Sequence, residues 1–519
     1  MADGNVSEKR KVIGSVLLNW IGRACALVIT FFLTPFLLHT LGQERYGIWA
    51  IVMAFTGYYA LADIGLGNAG VRYIAEYEAK GDRLRVERVV VTTFYIYCGL
   101  AVCCVFISLI ASVFLPGMLT QDVKDAVRIQ YVLFMVGCSV AVGFVGQTFS
   151  SVITALHRFD IRNALGVGVQ VTTAVSMVIV LKYGWGLIGM AVVTLVVTTV
   201  VQVLYFLIVQ KLLNGFSLSI KFFYRETARK SCRFGGITYC VQIARRVTEW
   251  SGALLVGLIV GPSAVPFYSI PESFSTKFLQ LGRGINSVVY PLTSKLAAQE
   301  RHEAIKKILL LGTRILLAMS LCAAGTLIVL GGTFIAVWIG PEYESQTYPV
   351  LCVLTLGNVL LLPGRGLRTV LRGADKLHLL VKAAIAEAFI TLLSGSILIY
   401  FYGPIGMAVA VLMAQIVASG LIIPIGACQL FEIPYRRFVL SVVGWAALAA
   451  VFPICTALVC NQLWEVDRML QLVPQFALVG LVGGLSIFIF CLDSESKQIV
   501  LSCLIPASFI NRTTVLKDV

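Results

Sequence analysis

The chain has 519 residues, of which 58% are hydrophobic and only 13% are charged. Soluble domains are about 25% charged, and a chain of this length would need several of them, each with its own polar surface. The composition therefore excludes a soluble enzyme, a disordered chain and a secreted disulfide scaffold. We predict an all-α polytopic protein of the cell membrane, for which the lipid bilayer replaces water as the main surroundings.

The net charge of +15 does not by itself indicate nucleic acid. Membrane proteins collect lysine and arginine in their cytoplasmic loops, and no nucleic-acid-binding motif accompanies the charge here. The sequence also has no P-loop motif and no cysteine and histidine pattern typical of a metal site. We therefore predict no cofactor, no metal, no ATP-driven motor and no nucleic-acid partner.

Apolar segments of about 20 residues, the length that spans a bilayer, recur along the whole chain. Fourteen are predicted, at 12–38, 47–67, 89–115, 127–155, 164–183, 186–210, 234–260, 265–296, 308–338, 350–371, 381–402, 405–430, 438–460 and 474–492. With this count most basic loop residues fall on one side of the membrane. The other side holds only Arg45, Lys124 and Arg468 in its loops, with Arg128 and Lys182 at the adjacent ends of spans. Because basic loops are cytoplasmic, both termini are predicted to lie in the cytoplasm.

Two pairs of similar segments indicate an internal repeat. The sequence IGMAV occurs at 188–192 and again at 405–409, an offset of 217 residues, and 41–49 resembles 260–268 at an offset of 219. Six is an even number, so two six-helix halves would share one orientation, as in the parallel repeats of many transporters. The predicted organisation is a cytoplasmic N-terminus at 1–11, bundles at 12–210 and 234–430 joined by a basic linker at 211–233, two extra helices within 438–492, and a cytoplasmic tail at 493–519.

The first 80 residues carry a family resemblance. Leu-Gly at 41–42 is followed by Tyr-Gly-Ile-Trp at 46–49, and Leu-Ala-Asp-Ile-Gly-Leu at 61–66 closes the second span. These motifs resemble those of the polysaccharide biosynthesis transporters, the O-antigen or lipid-linked-oligosaccharide flippases of the multidrug/oligosaccharidyl-lipid/polysaccharide (MOP) exporter superfamily. The resemblance implies a flippase that moves polyprenyl-pyrophosphate-linked sugar units to the outer leaflet, alongside a polysaccharide polymerase and glycosyltransferases of the same pathway.

Polar side chains are aligned on one face of three predicted spans, where each residue advances about 100° around the helix. Charges at membrane depth are costly, so such stripes face protein or water. The stripes comprise Asn19, Arg23, Thr30 and Thr34 in the first span, Thr238, Gln242, Arg245, Arg246 and Glu249 in the seventh, and Glu272, Thr276, Gln280, Arg283 and Ser287 in the eighth. The first and seventh spans are equivalent in the repeat, so we expect their stripes to face each other across a central cavity.

A pyrophosphate group is anionic, and arginine offers a fork of donors that stays charged at any accessible pH. The predicted substrate-binding residues are Arg23, Asn19, Arg245, Arg246, Gln242, Arg283 and Gln280, and the ion-coupling candidates are Glu249, Glu272 and Asp63. Structural roles compete with these assignments. Arg245 and Glu249 have the spacing of an ion pair within one helix, and Asp63 could cap a helix end beside Gly65. Arg23 and Arg283 could pair between helices, and Arg314 and Arg365 could extend to the cytoplasmic surface.

Three other functions compete with the flippase. An ion-coupled exporter of drugs or other organic solutes, from the same superfamily, would favour an acidic and aromatic cavity, whereas the deep charges here are mostly basic. A membrane glycosyltransferase or polymerase would show an aspartate-rich metal site or a large catalytic loop, and the sequence has neither. A membrane scaffold would use the polar stripes only to hold helices together. We therefore predict a transporter and not an enzyme.

Overall fold

The computed structural model describes residues 2–494 except 64, 214, 217, 221–223, 225–235, 281, 465 and 467, and it also describes Lys497. These residues form helices and connecting turns, and they include no strand. Within them, eleven helical segments are long and apolar enough to cross a membrane. The predicted all-α membrane fold is therefore confirmed, whereas the count of fourteen spans stays a prediction.

The helices follow the chain in the order of the predicted spans. They are α1 Ala2–Gly57, α2 Leu66–Ala79, α3 Arg83–Leu119, α4 Val123–Ala155, α5 Phe159–Lys182, α6 Gly186–Leu212, α7 Gly236–Ile259, α8 Val265–Phe278, α9 Arg283–Ala298, α10 His302–Ile339, α11 Glu344–Gly373, α12 Leu377–Tyr402, α13 Pro404–Gln415, α14 Ile423–Leu430, α15 Tyr435–Val439, α16 Trp445–Leu463 and α17 Met469–Cys491. Two π-helical segments, Ile416–Ile422 and Leu440–Gly444, join α13 to α14 and α15 to α16.

The first two predicted spans form one helical run with a sharp bend. Gly42 interrupts α1 with φ 79° and ψ 168°, a backbone conformation that only glycine adopts readily. A 3₁₀ turn, Tyr58–Ala62, then extends the second part of α1. The next helix, α2, occupies a stretch that was predicted as a cytoplasmic loop, so the sequence analysis missed it.

The seventh predicted span, 234–260, coincides with the helix α7, whereas the eighth differs from the structure. Every 18-residue window of α7 contains Arg245, Arg246 and Glu249, which is why α7 is absent from the eleven strongly apolar segments. The span predicted at 265–296 is not one helix, because α8 ends at Phe278 and α9 begins at Arg283. The hydropathy of this segment is continuous enough to suggest one span, but hydropathy does not report where the backbone leaves the helix.

The chain divides into two compact units, which we call unit 1 (Met1–Ile270 with Leu392–Met407) and unit 2 (Pro271–Thr391 with Ala408–Val519). The six-helix halves at 12–210 and 234–430 stay a prediction. In unit 1 the core joins α2, α3, α4 and α6 through a cluster that includes Ile74, Val90, Phe149, Val152 and Val209. Burial of these side chains stabilises helix contacts through close packing, which replaces the hydrophobic effect where lipid surrounds the protein.

In unit 2 the helices α16 and α17 pack around α10 through Leu330, Ala457 and Val479. Arg314 of α10, which was expected to extend to the cytoplasmic surface, has a side chain that is 15% exposed, and its Nη1 lies 3.6 Å from Oδ1 of Asp493, just beyond the end of α17. Its Nε donates a hydrogen bond of 2.7 Å to the carbonyl oxygen of Ser441. Ser441 lies in the second π-helical segment, where the altered turn exposes backbone oxygens that a nearby donor can satisfy.

Candidate substrate site

Helix α7 carries the clearest polar stripe of unit 1. Gln242 and Arg245 are exposed and Glu249 is partly exposed, and their spacing of three and four residues places them on one helix face. A neighbouring side of α7, about 100° around the helix from the stripe, packs against the second part of α1, where Trp250 lies against Gly57 and Gly257 against Ile51. Tyr239 extends the contact by donating a hydrogen bond to the carbonyl oxygen of Leu61. Packing therefore covers this side of α7 and leaves Gln242 and Arg245 exposed.

The ion pair expected between Arg245 and Glu249 is present, but it is not buried. Arg245 Nε lies 2.7 Å from Glu249 Oε1, and the two side chains are 57% and 35% exposed. The terminal Nη1 and Nη2 groups of Arg245 make no hydrogen bond with the described residues, so they stay available to a ligand. Arg246 is partly exposed and has no ion-pair or hydrogen-bond partner among those residues either.

The remaining predicted residues of unit 1 lie on α1. Arg23 has a partly exposed side chain, and Asn19 belongs to the same helix, although its side chain is outside the described part of the structure. The contacts given above join α7 to the part of α1 that follows Gly42, whereas Arg23 precedes it. A cavity in which the stripes of the first and seventh spans face each other therefore stays a prediction.

The predicted site residues of the eighth span lie in unit 2. Glu272 and Gln280 are partly exposed, and Gln280 lies just beyond the end of α8. Arg283 is the first residue of α9, and its side chain lies outside the described part of the structure. The role of these three residues in binding or in ion coupling stays a prediction.

Asp63 has the contacts of a helix cap. Its Oδ1 atom accepts a hydrogen bond of 3.0 Å from the backbone N–H of Leu66, the first residue of α2, and one of 3.1 Å from the Tyr97 hydroxyl. An aspartate just before a helix commonly satisfies the first free N–H groups in this way. The capping role raised in the sequence analysis is thus observed, while a role in ion coupling stays a prediction.

Four side chains of unit 2 form a closed ring of hydrogen bonds that was not predicted from the sequence. Its four members are Arg368 of α11, Glu387 of α12, Gln415 at the end of α13 and Ser419 of the first π-helical segment. Glu387, Gln415 and Ser419 are buried, with 8%, 2% and 3% of their surface exposed. The signal in the sequence was weak, because Arg368 and Glu387 lie in different apolar spans and neither has an opposite charge at helical spacing.

Each bond of the ring has a defined donor. Arg368 Nη2 donates to Glu387 Oε2 at 2.9 Å and to Ser419 Oγ at 3.2 Å. Gln415 Nε2 donates to Glu387 Oε1 at 2.9 Å, and Ser419 Oγ donates to Gln415 Oε1 at 2.8 Å. Both carboxylate oxygens are thus satisfied, which a buried charge requires in order to be tolerated. The ring therefore fixes α11, α12 and the α13 region to one another within unit 2.

Comparison with known proteins identifies the family. Residues 9–297 match the family described as "Polysaccharide biosynthesis protein". A Shigella flexneri protein named for O-antigen transport is 23% identical over 405 residues, which are 77% of this chain and 94% of that protein. The uncharacterised membrane protein EpsK of Bacillus subtilis is 21% identical over 507 residues, covering 93% of this chain and 97% of its own.

Solved structures show the same fold. The lipid II flippase MurJ in an inward closed conformation has a TM-score of 0.69 at 15% identity, covering 92% of this chain and 98% of its own. An inward-facing multidrug resistance transporter of the MATE family and MOP superfamily has a TM-score of 0.63 at 15% identity, covering 79% and 95%. The chain belongs to the polysaccharide biosynthesis protein family and has the multi-pass helical fold of MOP-superfamily transporters, which confirms the family resemblance seen in the sequence.

Proposed function

We propose that this member of the polysaccharide biosynthesis protein family is a flippase. It moves polyprenyl-pyrophosphate-linked oligosaccharide units from the cytoplasmic to the outer leaflet for the assembly of a surface polysaccharide. The observation that carries the proposal is the open polar stripe of α7, with Gln242, Arg245 and Glu249 on a face that packing leaves uncovered. Within a membrane, such a face requires water or a polar ligand beside it, because lipid cannot solvate its charges.

The chemistry of the stripe suits this cargo. The Nη1 and Nη2 groups of Arg245, which bond none of the described residues, offer charged donors to the oxygens of a pyrophosphate together with Arg246. Gln242 offers an amide that can bond sugar hydroxyls without selecting one particular sugar. Arg23, Asn19, Gln280 and Arg283 complete the proposed cationic cavity, while the polyprenyl tail stays in lipid.

The transport cycle we propose is alternating access, in which the cavity opens first to the cytoplasm and then to the outside. Glu249 and Glu272 are the acidic residues proposed to couple an ion to this cycle, with Asp63 as a third candidate. The polysaccharide polymerase and the glycosyltransferases of the pathway would consume and supply the cargo. The competing function is export of a cationic drug by the same fold. A cationic drug favours a cavity with mainly acidic groups, whereas the proposed lining is mainly basic.

The test is transport of a labelled polyprenyl-pyrophosphate oligosaccharide by the purified chain in proteoliposomes, alongside surface-glycan complementation in cells that lack the gene. We expect transport by the native chain and little by Arg23→Ala or Arg283→Ala at equal protein level. Replacement of either residue by lysine keeps the charge but loses the planar fork, so partial transport is expected. Full activity of both alanine variants would contradict the cationic cavity, and transport of cationic dyes in place of the glycolipid would favour the exporter.

Arg128 provides a matched control. It forms an i,i+3 ion pair of 2.9 Å with Asp125, and the two side chains are 56% and 38% exposed, close to the values for Arg245 and Glu249. Arg128 lies on the predicted outer side, near the start of α4, and not on a deep polar stripe. Arg128→Ala is therefore expected to transport the glycolipid normally. A loss of transport equal to that of Arg245→Ala would show that removing any exposed ion pair impairs folding, and that the effect of Arg245→Ala is not specific to substrate binding.

A further inference from the structure

Two predicted spans are interrupted at equivalent positions of the repeat. The 3₁₀ turn that extends α1 ends at Ala62 and α2 begins at Leu66, which defines the first interruption. Helix α8 ends at Phe278 and α9 begins at Arg283, which defines the second interruption. The first lies in unit 1 and the second in unit 2.

The sequence and the hydrogen bonds match across the two interruptions. Asp-Ile-Gly-Leu-Gly at 63–67 corresponds to Gln-Leu-Gly-Arg-Gly at 280–284, an offset of 217 residues and the same offset as the IGMAV repeat. After the first interruption, Ala69 N donates to Gly65 O at 3.0 Å, and after the second, Asn286 N donates to Gly282 O at 3.1 Å. The helix therefore restarts from the carbonyl of the equivalent glycine in each unit.

The first interruption lies beside the middle part of the continuous helix α3. Tyr59, before the interruption, bonds Ser108 at 2.7 Å, and Asp63, within it, bonds Tyr97 at 3.1 Å. Tyr97 is the fifteenth of the 37 residues of α3, four residues from the centre of that helix. At 1.5 Å per residue this is about 6 Å along the helix axis.

The second interruption lies at a similar position along its own neighbouring helix. Leu279 packs with Leu316 of α10 and Leu362 of α11 in one buried cluster. Leu316 is the fifteenth of the 38 residues of α10, so it lies about 7 Å from the centre of that helix. A methyl group on Gly282 would come within 2.6 Å of Leu362, which shows how closely the packing follows the interrupted backbone.

Interrupting a helix inside a membrane is costly, because each unpaired backbone group must find a partner within the protein. Asp63 meets part of this need in unit 1 by capping α2, and Gly65 has φ 76°, which a residue other than glycine adopts only with strain.

Proteins bend at a few residues that absorb large changes of φ and ψ, commonly at the ends of elements. We propose that the two interruptions are a matched pair of hinges, at which α2 and α9 bend away from the preceding helices during transport.

This proposal depends on the proposed function only in naming the glycolipid as the transported molecule. The test is the distance between spin labels attached to cysteines that flank each interruption, in a chain whose native cysteines have been replaced. Met53 with Asn68 spans the first hinge and Ser273 with Tyr290 the second, and all four residues are exposed. Leu84 with Val102, both exposed and on the uninterrupted helix α3, is the reference pair.

We expect the two hinge pairs to show broad or two-state distance distributions in proteoliposomes and the reference pair to show one narrow distribution. Distributions as narrow as the reference for both hinge pairs, in the presence and absence of glycolipid, would overturn the proposal. These distances are measured whether or not the glycolipid is carried. Two-state distances without glycolipid transport would therefore leave the hinges in place and count against the cargo alone.

Gly284→Ala connects the hinge to transport. A methyl group at Gly284 meets no heavy atom within 4 Å, so the substitution adds helix propensity beside the second interruption without a steric clash. We expect a narrower distribution for the Ser273–Tyr290 pair and about a fivefold loss of transport at unchanged protein level. Gly99→Ala on α3, where a methyl group also meets open space, is the control and should change neither measurement. Unchanged transport in Gly284→Ala, despite a narrower distribution, would overturn the role of the hinge.

Discussion

At the scale of single residues, the exposure of Arg245 decides what its removal should do. The ion pair with Glu249 is open, with the arginine side chain 57% exposed, and exposed pairs contribute about 0–1 kcal/mol to stability. Arg245→Ala is therefore expected to leave the protein level and the melting temperature nearly unchanged while lowering glycolipid transport about tenfold. Membrane abundance and transport are measured together, and Arg245→Lys should retain an intermediate rate. A collapse of the protein level would show that the pair is structural.

Asp63 allows capping to be separated from ion coupling. An asparagine in its place would keep a side-chain oxygen for the Leu66 N–H and the Tyr97 hydroxyl, whereas alanine would remove both bonds. We expect Asp63→Ala to cost about 1–2 kcal/mol in the free energy of unfolding and Asp63→Asn much less. Thermal denaturation in detergent gives the stability of each variant. Normal stability with normal transport in Asp63→Asn would remove Asp63 from the ion-coupling candidates, whereas normal stability without transport would support its coupling role.

At the scale of elements, the ring around Glu387 joins three helical segments of unit 2. Removing one partner of a buried ion pair leaves an uncompensated charge and typically costs about 3–5 kcal/mol. Glu387→Ala is therefore expected to lower both the melting temperature and the protein level strongly. The double variant Arg368→Met with Glu387→Met removes both charges at similar volume, so it should recover most of the lost stability. Fluorescence-detected size-exclusion after heating measures both. A double variant as unstable as Glu387→Ala would contradict an ion-pair role.

Among the spans, α7 and α8 are unusual in their charge and length. Both carry charges at membrane depth, and α8 is only 14 residues long before the second interruption. A helix that is apolar on every side needs no particular neighbour in a membrane, whereas a helix with a polar stripe is stable only where water or protein meets that stripe. The positions of α7 and α8 are therefore determined by their polar faces more than by their apolar length.

At the scale of the whole molecule, the distribution of basic residues predicts the topology. Segment 214–230 is expected on the cytoplasmic side and segment 341–346 on the outside, because the first is rich in lysine and arginine. Cysteines introduced at the exposed residues Gly215 and Glu342 can be labelled with a reagent that does not cross the membrane. We expect labelling from opposite sides. Labelling of both from one side would contradict the fourteen-span arrangement, and with it the cytoplasmic position of the termini.

The sequence by itself determined the fold class, the family and the stripe of α7. These features depend on local information: a run of about 20 apolar residues spans a bilayer in almost any protein, and residues three or four apart on a helix share a face. The ion pair between Arg245 and Glu249 could be predicted for the same reason, because its partners are four residues apart. The family motifs at 41–66 likewise lie within one short segment.

Only the tertiary structure decided which distant side chains meet. Arg368 and Ser419 are 51 residues apart, and their hydrogen bond depends on how α11 and the first π-helical segment are aligned along their axes. Arg314 meets a carbonyl 127 residues away for the same reason. Hydropathy reports that a segment is buried in lipid or protein, but it is silent about this alignment and about the points where the backbone leaves the helix. The hydrogen bond from Tyr97 to Asp63 and the second interruption therefore became visible only when the helices were packed.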